Sequence, residues 1–129
     1  MRAALLIVLG LAIGIVGTVF AMNALSQRNP FPHAVMAVMA HHSGELRNAI
    51  KAQRCEAAST KEHLERLLST SGDIVPAFPG VDQAFADEAA QLRTDLQAAV
   101  QTAPADCAAL AAALKPVSDA CQSCHQKYR

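Results

Sequence analysis

Seven residues near the end of this 129-residue chain, Cys107, Leu110, Leu114, Val117, Cys121, Cys124 and Tyr128, recur at spacings of three and four without a miss. A half-buried strand would place its apolar residues at every second position, so this stretch can bury one stripe only as a helix. The helix carries Cys121-Gln122-Ser123-Cys124-His125 near its end, and C-x-x-C-H is the attachment signature of c-type haem. Two thiols three residues apart share a helix face and can each add to a haem vinyl group. The imidazole that follows can ligate the iron through a ring nitrogen. A structural zinc site would need two more ligands at matched spacing, and no second C-x-x-C exists. A thiol–disulfide redox motif belongs where a strand runs into a helix, whereas this one lies five residues from the C-terminus. The pattern predicts one covalent haem c, held by Cys121 and Cys124, with His125 as the proximal iron ligand.

A haem would also supply bulk that the chain lacks. Hydrophobic residues make up 52% of the sequence, yet there are only four Phe, one Tyr and no Trp. Alanine and leucine supply most of the rest, which favours helices over strands. Formal net charge is zero. No basic patch or aromatic–basic interleaving points to nucleic acid.

Met1-Arg2 precede an apolar, uncharged run from Ala3 to about Leu25. That run exceeds the roughly 7–15 residues of a signal-peptide core and approaches the roughly 20 that span a bilayer. Val19-Phe20-Ala21 is a tolerable cleavage site, so residues 1–25 read as a signal anchor or a signal peptide. Both readings direct export. The expected location is the periplasm, with residues 3–25 as an inner-membrane anchor where they are retained. Disulfides are at home in that compartment.

Residues 26–31 are polar and contain a proline, and read as a linker to a domain over 32–129. Pro32 suits the first turn of a helix. Met36, Met39, Ser43, Leu46 and Ile50 then mark one face of a helix to about Arg54. Ser59 with Glu62 matches a capping box for a second helix bearing Leu64, Leu67 and Leu68. Residues 71–81 read as a loop. A third helix starts near Asp82, with Phe85, Leu92, Leu96 and Val100 inward, and closes at Thr102-Ala103-Pro104. Pro116 inside the last helix should kink it. The expected fold is all-α: an antiparallel up-down four-helix bundle behind an N-terminal apolar helix.

Cys55 at the end of the first bundle helix and Cys107 at the start of the fourth lie at the same end of such a bundle, which predicts a disulfide between them. The pairing carries a register, because opposed residues of the two antiparallel helices have numbers that add to about 162. Position 37 then faces His125. The window brackets Met36 and Met39, with His33 and His41 at its edges. Met36 is the first choice for a distal iron ligand, since a thioether opposite histidine is a familiar axial pair. Met39 and the two histidines follow, and an open sixth site remains an alternative. His42 and His63 read as solvated surface. The second helix returns to the haem end, so Ile74, Val75 and Phe78 should cap the haem edge, with Phe78 as a cofactor contact.

Cys121-x-x-Cys124-His125-x-x-Tyr128-Arg129 closing a four-helix chain resembles the class II c-type cytochromes, cytochrome c-prime and its low-spin relatives. The resemblance is strongest over 105–129. It implies a haem at one end of the bundle, bound through Cys121, Cys124 and His125. Arg129 would influence the proximal ligand and the propionates, and the first-helix residue over the iron maps to Met36. Pro32 stands where the family often has an arginine, and neither the Cys55–Cys107 pair nor the long apolar N-terminus is general in the family. His/Met iron would suit a periplasmic one-electron carrier serving redox proteins at the membrane. If Met36 only shields an open iron, the protein would bind NO or CO instead. No distal His-Arg pair can be assigned, so the chain is not read as an enzyme. Family members often dimerise through their first two helices, which leaves a homodimer open.

Overall fold

The computed structural model describes residues 2–26 and 30–128, all helical apart from the connections between helices. The chain divides into two units, Met1–Pro30 and Phe31–Arg129. In the first, α1 (Arg2–Ser26) presents Ile7–Ala24 with nothing buried. By length and composition it can cross a membrane, a test that a signal sequence also passes. Of the expected linker over 26–31, residues 27–29 lie outside the described residues, while Ser26 ends α1 and Phe31 begins α2.

The second unit holds α2 (Phe31–Lys51), α3 (Ala57–Ser71), the single turn α4 (Ile74–Ala77), α5 (Gln83–Thr102) and α6 (Cys107–Tyr128). Packing runs from α2 to α3, α3 to α5 and α5 to α6, and α6 returns to α2. Leu46, Leu64, Leu67, Leu96 and Leu110 are fully buried at its centre. Leucine from each long helix of this unit, α2, α3, α5 and α6, thus closes the core, and no described residue forms a strand.

The helix ends depart from the sequence-based expectation for local reasons. α2 stops at Lys51 rather than near Arg54, because Gln53 takes a left-handed conformation with φ 53°. Its N–H donates to the Ile50 carbonyl and the Arg54 N–H to that of Ala49, the paired bonds of a Schellman stop. The expected capping box does not form. α3 starts at Ala57 with Glu56 at its N-cap and no side-chain cap bond, so Ser59 lies inside the first turn. Ala57 and Ala58 are strong helix formers and carry the helix past that signal. True side-chain caps stand at α5, where Asp82 accepts from the Phe85 N–H at 2.9 Å, and at α6, where Asp106 accepts from the Ala109 N–H at 2.8 Å. The 71–81 segment holds α4 rather than only loop. α6 continues through Pro116 as one helix.

A disulfide joins Cys55 to Cys107, with their Cα atoms 5.2 Å apart. It ties the far end of α2 to the start of α6. The remaining two cysteines therefore lie about four to five turns away along α6, at the other end.

Candidate functional site

α2 and α6, with α3, α4 and α5 behind them, enclose a cavity of about 230 Å³. From α2 come Met36, Met39, Ala40, Ser43 and Arg47, and from α6 come Val117, Ala120, Cys121, Cys124 and His125. Leu67, Ile74, Ala89 and Leu92 form an apolar back wall, and Glu88 stands at the rim. An open cleft of about 440 Å³ shares Arg47, Cys121 and His125 with the cavity and extends it toward solvent along Gln122 and Gln126.

The donor set is sulfur, sulfur and imidazole along α6, faced by thioethers from α2. Cys121 and Cys124 are half-buried free thiols, while His125 is exposed. Burial pushes both thiol pKa values up; Arg47 opposes this at Cys121, whereas Glu88 adds to it at Cys124. Met39 is buried at 8% exposure, and Met36 is half-buried beside it. The residues of this apolar-walled space, two thiols one turn apart and an adjacent imidazole, are of the chemistry that would hold a haem.

The rim is charged. Lys127 pairs with Glu88; its hydrogen bond is the main cause that holds the Glu88 carboxyl below, and the Lys127 ammonium above, their ordinary values. Tyr128 crosses the Phe85 ring edge-on at 5.1 Å and donates to Asp82 at 3.4 Å.

Met36, Met39, Cys121, Cys124 and His125 thus meet at one cavity. Of the residues expected at the haem edge, Ile74 lines the cavity, whereas Phe78 does not and packs its ring on Phe85 at 5.4 Å. Val75 is exposed, as are His33 and His41, and none of the three lines the cavity. Arg129 lies outside the described residues. Arg47 and Glu88 were missed from sequence. Arg47 is eleven residues beyond Met36, three turns along the same helical stripe, and a charge on that stripe was the available signal.

Residues 81–129 match the family model of cytochrome C'. The match spans the turn before α5, all of α5 and all of α6, and so contains Glu88, Cys121, Cys124 and His125 but not Met36. It is consistent with a class II c-type cytochrome, and the cytochrome c-prime family implies a haem cofactor. No curated protein and no solved structure matches the chain.

One reading from sequence needs correction. His42 and His63 are not solvated surface groups: both are half-buried, and their Nδ1 atoms stand 2.9 Å apart across α2 and α3. Burial first, then His63, His41 and Arg66, push the His42 pKa down, with Glu62 opposing.

Proposed function

We propose that the protein is a monohaem c-type cytochrome of the periplasm that passes single electrons to and from redox proteins, and is not itself an enzyme. The observation that carries this reading is the convergence of Cys121, Cys124, His125 and the α2 methionines on one apolar-walled cavity. When bound, the haem supplies a one-electron ferric/ferrous couple.

Cys121 and Cys124 hold the group through two thioether bonds, which fixes it relative to α6. His125 offers an imidazole nitrogen as proximal ligand, and Met36 offers its sulfur from α2 as the distal one. A neutral, soft thioether favours the ferrous state and raises the potential. The walls formed by Leu67, Ile74, Leu92 and Val117 exclude water and act in the same direction, because a drier site disfavours the more highly charged ferric form. Arg47 adds a positive charge with the same sign of effect. α1 serves as the membrane tether, which raises the local concentration of the carrier beside membrane-bound partners.

Absorption spectra of the purified protein test the reading. Met36→Ala should convert a low-spin ferric spectrum to a high-spin or water-bound one and admit CO without delay. Met39→Ala should leave the spectrum in place and cost about 2–5 kcal/mol of stability through the cavity it opens. A high-spin wild type that binds CO at once would transfer the function to NO or CO binding, with Met36 as a shield. Haem extracted completely by acidified acetone would overturn covalent attachment.

A further inference from the structure

Outside the cavity, the α2–α3 contact carries a second group of donor side chains. Neither His42 nor His63 lines the cavity, and their ring centroids lie 5.2 Å apart. The exposed His41 ring stands 4.9 Å from His42 and 6.4 Å from His63. α2 and α3 pack against each other, so the bundle keeps the two rings within reach of one another. Arg66 lowers the His42 pKa and Glu62 raises it, so one charge of each sign acts on the pair.

We propose that His42 and His63 form a second metal site, binding one divalent copper ion through their two Nδ1 atoms. Among the described residues no three His, Cys, Asp or Glu side chains surround one ion position, so the protein supplies two ligands and water completes the coordination.

Ligand type and the affinity order select the ion. Metal–imidazole bonds are about 2.0 Å long, so two of them at the right angle of a square-planar ion place their nitrogens about 2.8 Å apart. At the tetrahedral angle preferred by zinc the separation is about 3.3 Å. The Nδ1 atoms stand at hydrogen-bond distance, 2.9 Å, and lie within about 0.4 Å of both separations, so either ion is within reach of the pair. Square-planar nitrogen sites belong to Cu²⁺ and Ni²⁺, and Cu²⁺ stands higher in the affinity order.

The Nδ1 contact without metal is a hydrogen bond, in which one ring carries its proton on Nδ1. On binding, that proton moves to Nε2 of the same ring. Both Nδ1 lone pairs are then free, and a rotation of about 45° by each ring turns them from one another toward the ion. One hydrogen bond is exchanged for two metal–nitrogen bonds, with no proton lost and no electron transferred.

The test uses the purified full chain in detergent, stripped with a chelator, with Cys121 and Cys124 bound to haem or else alkylated. Copper(II) chloride is titrated against a chromophoric competitor, and pulsed EPR counts the imidazoles on the bound ion. We expect one equivalent per chain with two imidazoles, bound at least about tenfold more tightly than zinc. His42→Gln and His63→Gln should each weaken binding about tenfold or more and leave a single imidazole, while His41→Gln should change it less than about threefold. Undiminished binding by the His42→Gln/His63→Gln double variant overturns the proposal, as does zinc binding tighter than copper. A wild-type spectrum with fewer than two imidazoles does so as well, and this measurement decides alone where a variant fails to fold.

Discussion

Replacing both Cys55 and Cys107 with alanine removes the bridge that holds α2 and α6 in register. The bridged residues are separated by 52 positions. In the chain-entropy treatment a loop of that length restricts the unfolded chain by about 14 cal/mol/K, which is about 4 kcal/mol at 25 °C. Small domains have only about 5–15 kcal/mol in all, so the double variant should sit near the edge of folding. At about 4–8 °C per kcal/mol for a unit of about 100 residues, its melting temperature should fall by roughly 15–30 °C. Urea unfolding of the holoprotein, followed by far-UV circular dichroism, should show a lower midpoint and a steeper slope, because the unbridged chain exposes more surface when unfolded. The site should respond as well. Met36 depends on α2 keeping its place against α6, so CO should bind the variant faster than the wild type. A loss of less than about 1 kcal/mol with an unchanged slope, or two free thiols in unfolded, unreduced holoprotein, would refute the reasoning.

Further perturbations follow from single side chains. Arg47→Gln should lower the haem potential by roughly 20–40 mV, the order of one solvent-screened charge beside the site, while Arg47→Lys should leave it near wild type; potentiometric titration distinguishes them. Ala103 ends α5 in a left-handed conformation with φ 46°, so Ala103→Gly should stabilise by about 0.5–1 kcal/mol in urea unfolding; a lower midpoint would contradict this. With copper and zinc chelated, His42 should contribute a pH dependence. Its folded pKa lies below the ordinary 6.5, so the unfolded chain binds the proton first. That contribution is complete above about 6.5 and is lost as the pH falls through the folded value. His42→Gln should therefore flatten the decline of stability on the acid side, as read from unfolding midpoints between about pH 7 and 5.

The elements and the chemistry of the last helix were legible in the residues themselves. Helical periodicity is a local property, and the stripe from Cys107 to Tyr128 needed only the 3.6-residue repeat. C-x-x-C-H is equally local, because its three donors lie within five consecutive residues. Even one tertiary feature, Met36 and Met39 facing the His125 end, could be drawn from the Cys55–Cys107 pairing, since one bridge sets the offset of two antiparallel helices. The rest depended on distances between helices. Leu46 and Arg47 are adjacent in sequence, yet one is buried in the core and the other lines the site, a difference of about 100° around α2 that only the packing of α6 resolves. Of Ile74, Val75 and Phe78, all expected at the haem edge, the turn at α4 brings only Ile74 to the cavity wall. His42 and His63 are 21 residues apart on helices whose relative rotation no local pattern records, and their contact is decided by how α2 and α3 pack.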